Sequence, residues 1–468
     1  MEKKDLISVV HGSLWISLAS IVMNVLGFTF WLLCSKFFTT SSLGYATTAF
    51  SIAFMVSSLM NFGFNYVILR EVPVNRGKVL TACLVVALGI SVIASSACYL
   101  FKNVYPGFER YIPLIILIVI SSLIVTISST SLIAVLKPKH YFIVPTSVAL
   151  LKLIIIITLI LLGIDSVGIL LSITLSIIVG AVLGLFFCRK YVGFSKFSSR
   201  DVVHVLKVGF SNYPQVLSTQ LLISSGIVLI SWLTRSPSIA GIVYIIIMAT
   251  LALAIIPNSL AIAGLPVMMY SSESIGKISN EGIRLGLGVV TPLIVFVGVC
   301  SSHLLSLLRP EYVQSALAFT MLVLSIPLIT ISFMTISKLN AEGKFRVVLT
   351  IGLLRLCTLL LTLPVLIKIH PFIGTACSFI LSNLAPMPII LRHMSRVVFK
   401  YLLLVSVIQV VSVSIGHILI MHVIDILSGL VMSLISLLLL NLCGILTLKD
   451  LKFLINLIVH SFSRRARH

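Results

Sequence analysis

Apolar runs of about 20 residues recur from one end of this sequence to the other. A helix rises ~1.5 Å per residue, so a run of that length crosses the ~30 Å hydrocarbon core of a bilayer. Of the 468 residues, 59% are hydrophobic and only 10% are charged, which excludes a soluble globular protein. We predict an all-α polytopic membrane protein with about fourteen transmembrane helices. The predicted spans are 12–35, 43–69, 79–101, 112–136, 142–163, 166–188, 208–234, 239–270, 285–308, 312–336, 345–368, 373–391, 401–423 and 426–447.

Little of the chain lies outside these runs. The longest predicted loop, 189–207, and the predicted tail, 449–468, are too short for a catalytic domain. No Gly-rich phosphate loop of the Walker type occurs, so we expect no ATP hydrolysis. The eight cysteines are scattered without a Cys-x-x-Cys pair, and the ten histidines show no metal-ligand spacing. The sequence therefore predicts a protein that is not an enzyme and holds no metal or cofactor.

The net charge of +21 follows the membrane topology and does not indicate nucleic-acid binding. With a cytoplasmic N-terminus, 25 of the 33 lysines and arginines fall at cytoplasmic segments, counting Arg346 at a helix mouth, and six fall in outer loops. This is the positive-inside bias, and it predicts the cytoplasmic membrane, with both termini in the cytoplasm. Most of this charge would face anionic lipids. The predicted cytoplasmic segments are 1–11, 70–78, 137–141, 189–207, 271–284, 337–344, 392–400 and the tail.

Two basic residues, Lys152 and Arg355, lie inside predicted spans. Lys152 is in the middle of "SVALLKLIIIITLILLG", 147–163, ~15 Å from either interface. A charge at that depth costs about 2.5–3.5 kcal/mol on insertion scales. None of the twelve Asp and Glu residues falls inside a predicted span, so the counter-charge is expected from elsewhere, such as a substrate phosphate. The alternatives are capping by backbone carbonyl groups, or a role in helix packing.

The two basic residues also correspond in an internal repeat. "ALLKLIIII" at 149–157 aligns with "GLLRLCTLL" at 352–360, an offset of 203 that pairs Lys152 with Arg355. An offset of 197 pairs Gly12 with Gly209, Gly44 with Gly241 and Asn61 with Asn258. Six spans per repeat make the copies parallel, and transporters of this kind bind substrate between the halves near the midplane. We expect two pseudo-symmetric lobes around a central cavity that Lys152 and Arg355 face.

The repeat defines the expected domains. These are the N-lobe 1–188, the basic loop 189–207, the C-lobe 208–396, two extra helices within 397–448, and an amphipathic basic tail, 449–468. Polar side chains in or beside the spans are further candidates for substrate contact, although amides in spans also serve helix packing. They are Asn24, Asn61, Asn258 and Gln220, with Arg70 at the cytoplasmic mouth.

The segment 12–72 resembles the start of the polysaccharide flippases of the multidrug/oligosaccharidyl-lipid/polysaccharide exporter superfamily. The resemblance includes a Gly-Ser before the first helix, Leu-Gly at 43–44, and "NFGFNYVILRE" at a charged edge. It implies transport of undecaprenyl- or dolichyl-(pyro)phosphate-linked oligosaccharide from the cytoplasmic to the outer leaflet by alternating access. The first helix lacks the arginine cluster of the related lipid II flippases, which favours a surface-polysaccharide or glycan substrate.

Two other functions stay open. A multidrug antiporter of the same superfamily, driven by protons or sodium ions, would need a carboxylate in the cavity, and no predicted span provides one. A membrane glycosyltransferase or polymerase would need larger outer loops. Whether an ion gradient or the membrane potential drives transport cannot be read from the sequence.

Overall fold

The computed structural model describes residues 3–61, 63–163, 166–270, 275–420, 425–447 and 450. Within this part it gives the backbone but not the side chains at 3–14, 16–17, 66, 74–76, 209–221, 262–263, 265–267 and 269–270. Every regular element in the described ranges is a helix. The predicted tail, 449–468, lies outside the described residues except for Asp450.

Eighteen α-helices form the described part of the chain. The first nine are α1 Lys3–Phe37, α2 Thr40–Met60, α3 Phe64–Cys98, α4 Ile112–Ala134, α5 Pro138–Leu161, α6 Ser166–Tyr191, α7 Ser199–Thr234, α8 Pro237–Leu253 and α9 Ile255–Tyr270. The others are α10 Ile275–Val299, α11 Ser301–Ser306, α12 Ala316–Leu324, α13 Ile326–Ala341, α14 Phe345–Leu366, α15 Pro371–Leu384, α16 Met387–Arg392, α17 Arg396–Ile420 and α18 Asp425–Leu442. Short 3-10 turns occupy Tyr99–Phe101, Phe108–Tyr111 and Pro310–Ser315.

The chain is a multi-pass, all-α membrane protein, as predicted, but fourteen spans are not confirmed. Within the described ranges, twelve segments are long and apolar enough to cross a bilayer. The broken pair α8 and α9 would make a thirteenth if it is taken as one span. The predicted span 208–234 lies within α7; the side chains of 209–221 are not described, and the remaining part, Leu222–Thr234, is a shorter apolar helix.

The helices pack into two compact units. The larger unit comprises Met1–Ala252, Leu308–Ser315 and Lys344–Pro386. In it, α4 packs against α3 and α6, while α5 packs against α1 and α6. In the same unit α7 packs against α2, α3 and α14, and α14 also packs against α15. The larger unit therefore combines helices from both predicted lobes.

The smaller unit comprises Leu253–Leu307, Ala316–Gly343 and Met387–His468. Helix α10 is its centre and packs against α9, α13, α17 and α18. Gly298 of α10 and Gly416 of α17 permit close contact between these two helices. A Cβ on Gly298 would lie 3.0 Å from the Val413 side chain, and one on Gly416 would lie 2.4 Å from the Val299 side chain. These units follow packing and not the repeat, so the predicted lobe boundaries stay a prediction.

The predicted cytoplasmic segment 70–78 is helical and lies inside α3. The helix break comes earlier: α2 ends at Met60 and α3 begins at Phe64. Gly63 has φ +69, a left-handed conformation that glycine adopts at little cost. Charged residues such as Arg70 and Lys78 are compatible with helix outside the bilayer, so their presence does not end it.

Two other predicted loops are shorter than expected. Helix α10 begins at Ile275, inside the predicted segment 271–284. Helix α7 begins at Ser199, so the segment 198–207 is the first part of a 36-residue helix. Ser198 and Asp201 form a capping box at its start, and hydrogen bonds donated by the Ser198 N–H and hydroxyl lower the pKa of the Asp201 carboxyl.

Candidate functional site

Lys152 lies on the side of α5 that packs against α1. Its Nζ is 4.6 Å from the centre of the Phe30 ring, a cation–π contact, and the side chain is half-buried. The buried thiol of Cys34, one turn further along α1, also interacts electrostatically with it. In the described part of the chain no carboxylate is within ion-pair distance of Lys152. A desolvated cation–π contact contributes about 2 kcal/mol, which is less than the cost of the buried charge.

A second polar group without a partner lies near Cys34. Tyr312, in the turn Pro310–Ser315, is fully buried, and its hydroxyl has no hydrogen-bond partner. Cys34 lies near both Tyr312 and Tyr244 of α8. The Tyr244 ring packs on Trp31 of α1, with 4.6 Å between the ring centres. The described neighbours of Lys152 are therefore the Phe30 ring and the Cys34 thiol, with no carboxylate within ion-pair distance among the described residues.

Arg355 is buried between helices, with 7% of its surface exposed. It belongs to α14, which packs against α7 and α15. Its Nη2 donates a hydrogen bond to the Asn383 side-chain oxygen on α15, and Asn383 in turn donates to the Phe379 carbonyl at 2.8 Å. The Nε of Arg355 is buried without a partner. A guanidinium has five N–H donors, so a single neutral partner leaves most of its hydrogen-bonding capacity unused.

Among the described contacts, Lys152 and Arg355 share no residue. Lys152 contacts α1, and Arg355 contacts α15. Both belong to the larger unit, and no ion pair to either exists among the described residues. The cavity that Lys152 and Arg355 are expected to share stays a prediction.

The two repeat-related asparagines occupy helix ends. Asn61 is the C-cap of α2, and its side-chain oxygen is buried without a partner. Asn258 is in the first turn of α9, where its N–H donates to the Ala254 carbonyl at 3.1 Å. Asn61 belongs to the larger unit and Asn258 to the smaller one. Asn61 begins the break between α2 and α3, and Asn258 follows the break between α8 and α9, positions that the sequence did not reveal.

The remaining candidates differ in what surrounds them. Arg70 is exposed on α3, and its Nε is 3.4 Å from a carboxylate oxygen of the adjacent Glu71. Asn24 is exposed on α1. Gln220 lies in α7 among residues whose side chains are not described. The described residues contain no group of three His, Cys, Asp or Glu that could hold a metal ion.

Gly44 and Gly241, which the repeat pairs, contact each other. A Cβ on Gly44 would lie 1.7 Å from the Pro237 carbonyl oxygen, and one on Gly241 would lie 2.8 Å from the Gly44 nitrogen. Beside them, the Thr40 hydroxyl donates to the Ser238 hydroxyl at 3.2 Å. Contact between equivalent residues is expected next to a pseudo-two-fold axis; the repeat itself stays a prediction. The signal in the sequence was that the offset of 197 residues pairs these two glycines.

Phe30 and Asn383 were not predicted as partners of the two cations. Phe30 is one of 25 phenylalanines, and nothing local distinguishes it. Asn383 is 28 residues from Arg355 and reaches it only because α14 and α15 form a hairpin. A polar residue in the span following Arg355 was the one available signal.

Solved structures of membrane transporters have the same fold. A structure of the lipid II flippase MurJ in an inward closed conformation superposes with a TM-score of 0.74 at 13% identity, over 91% of this chain and 97% of that one. An outward-facing multidrug resistance MATE family transporter of the MOP superfamily gives 0.60 at 15%, over 84% and 96%. A MOP superfamily transporter from Pyrococcus furiosus, described as having a binding pocket of reverse polarity, gives 0.54 at 15%, over 84% and 96%.

No protein-family model and no curated protein matches this chain. At such low identities the superpositions establish the fold, and the substrate has to be argued from this chain's own residues.

Proposed function

We propose that this protein is a transporter that moves polyprenyl-(pyro)phosphate-linked oligosaccharide from the cytoplasmic to the outer leaflet of the cytoplasmic membrane. The observation that carries the proposal is the state of Lys152 and Arg355. Both are basic residues in apolar helices, and neither has a carboxylate partner among the described residues. Each keeps unused capacity to bind an anion, and a phosphate group would supply the missing charge.

The fold likeness to a lipid II flippase supports a lipid-linked substrate, since that neighbour's name describes a lipid-linked cargo. In the proposed mechanism the lipid phosphate enters from the cytoplasmic side, where Arg70 would meet it first. Lys152 and Arg355 then neutralise it while the prenyl tail stays in the lipid. Asn24, Asn61, Asn258 and Gln220 would donate hydrogen bonds to sugar hydroxyl groups.

A multidrug antiporter is the second candidate, because neighbours with the same fold include multidrug MATE transporters. A cationic drug would need a negative partner in the spans, and the described spans place acidic residues only toward their ends, such as Glu281 and Asp425. The two buried cations would repel such a substrate. The lipid-linked oligosaccharide is therefore the better proposal.

The test is leaflet transfer of a fluorescent prenyl-pyrophosphate sugar in proteoliposomes. We expect K152Q and R355Q each to slow transfer at least tenfold, and the double variant to abolish it. R355K, which keeps the charge but loses the planar donor fork, is expected to retain part of the activity.

The matched control is K368Q, which removes one positive charge from an exposed position after α14. It should transfer at the normal rate. Unchanged transfer in a folded K152Q/R355Q double variant would remove the role assigned to these residues, and efflux of cationic dyes by the wild type would favour the antiporter.

A further inference from the structure

The start of α5 and the end of α6 meet in a cluster of basic and aromatic side chains. We call it the basic rim, and it consists of Lys137, Lys139, His140, Arg189, Lys190 and Tyr191. The Tyr191 hydroxyl and the His140 Nε2 are 2.8 Å apart, and their rings are packed with centres 4.4 Å apart. This pair links the two helix ends and gives the rim a defined geometry.

Two lysines share the Tyr191 ring. The Lys137 Nζ is 5.3 Å and the Lys190 Nζ is 5.5 Å from its centre, so the two ammonium groups are no more than about 11 Å apart. Lys139 is exposed, and its Nζ is 6.0 Å from the Trp15 ring. In the described part of the chain, no carboxylate is within ion-pair distance of these three lysines. The rim is therefore a concentration of positive charge without a protein counter-ion there.

The rim lies at the level where a lipid headgroup would be. The candidate spans Pro138–Leu161 and Ser166–Tyr191 begin and end within it. Tyrosine and tryptophan rings are typical of the membrane–water interface, as are lysines that extend from helix ends. Its position favours an occupant that belongs to the membrane over a soluble anion.

An apolar stripe leads from the rim into the bilayer. Along α6, Val179, Val182 and Phe186 are 39%, 61% and 62% exposed and precede Lys190 at helical spacing. These exposed side chains share one face that ends at a lysine. An occupant with a hydrocarbon chain and an anionic head matches both parts of this surface.

We propose that the basic rim binds an anionic glycerophospholipid, with its phosphate between Lys137, Lys139 and Lys190 and an acyl chain along Val182 and Phe186. The site is separate from Lys152 and Arg355, so the inference does not depend on the transported substrate. Bound lipid would neutralise the two ammonium groups around Tyr191 and brace the α5–α6 pair.

Binding of fluorescent phosphatidylglycerol to the purified full-length protein in neutral detergent tests the proposal. We expect phosphatidylglycerol to bind at least tenfold more tightly than phosphatidylcholine. We expect K137Q/K139Q/K190Q to lower the affinity for phosphatidylglycerol at least tenfold, and the charge-preserving K137R/K139R/K190R to restore most of it. K190Q alone, a minimal change at an exposed site, should lower the affinity about threefold.

The control variant K36Q/K102Q/K368Q removes the same charge at exposed positions elsewhere and should bind normally. Equal binding of the two lipids, or equal losses in the control and rim variants, would overturn the site. Displacement of phosphatidylglycerol by undecaprenyl phosphate at hundredfold lower concentration would assign the rim to a prenyl phosphate and overturn the glycerophospholipid proposal.

Discussion

Replacing Gly44 with alanine tests the contact between the N-terminal ends of α2 and α8. The added Cβ would be 1.7 Å from the Pro237 carbonyl oxygen, whereas ordinary contact begins near 3.4 Å. The backbone fixes the Cβ position and the Pro237 oxygen is itself a backbone atom, so no side-chain rotation relieves the clash, and the helices have to separate by about 1.7 Å. Overpacking of this kind typically costs about 1–3 kcal/mol.

Alanine also has a higher helix propensity than glycine, by about 0.5–1 kcal/mol, and this partly offsets the clash. Gly89 of α3 provides the matched control, because a Cβ there meets nothing within 4 Å. G89A should therefore be as stable as the wild type or slightly more stable. The difference between the two variants cancels the propensity effect and should be about 1–3 kcal/mol.

Thermal unfolding of the purified variants in one detergent measures this difference. We expect a lower Tm for G44A than for G89A. We also expect G44A/G241A to lose less than the two single variants together, because both substitutions open the same contact. A G44A protein as stable as G89A would mean that α2 and α8 do not meet at these glycines.

Three further predictions follow from contacts in the two units. Oxidation of T40C/S238C should form a disulfide and stop transport until it is reduced, since the two hydroxyl groups are 3.2 Å apart across the two predicted lobes. The control S57C/S122C, whose hydroxyl groups are 2.7 Å apart inside the N-lobe, should cross-link without loss of transport. Equal inhibition by both pairs would contradict this. N383L should destabilise the protein by about 3–5 kcal/mol because it leaves Arg355 buried without its partner, whereas R355M should cost less. Thermal unfolding of both variants measures this, and an N383L protein at least as stable as R355M would mean that the pairing is unimportant. D450N should lower the Tm by the same amount from pH 5 to pH 8. Hydrogen bonds from Arg284 keep the pKa of Asp450 well below its usual range, so the stabilising effect of this carboxylate is complete above about pH 4 and is lost only in more acidic solution. A loss of Tm that varies between pH 5 and pH 8 would contradict this.

The sequence predicts the class of fold well because hydrophobic length is a local property. Each of the predicted spans corresponds to helix in the described part, although twelve or thirteen segments qualify as spans. It also predicts that Lys152 and Arg355 lack acidic partners, since acids are absent from the predicted spans.

Neither the positions of the helix breaks nor the contacts between helices could be predicted from the sequence. The charged residues 70–78 predict an edge of the membrane, but they do not reveal that α3 continues through this segment, because a helix can extend into water where its side chains are polar. The real break needs the left-handed backbone of Gly63, one of 27 glycines. The Phe30–Lys152 and Asn383–Arg355 contacts depend on which faces of separate helices meet, a tertiary property.

The short joint between α2 and α3 has a mechanical consequence. Only residues 61–63 separate Met60 from Phe64, so no slack loop exists to absorb a tilt of α2. At its far end α2 touches Pro237 through Gly44, while α3 carries Glu71, whose carboxylate is 3.6 Å from the His204 ring. Because α2 is one continuous helix from Thr40 to Met60, we expect a displacement at the glycine contact to move its other end, beside the joint with α3.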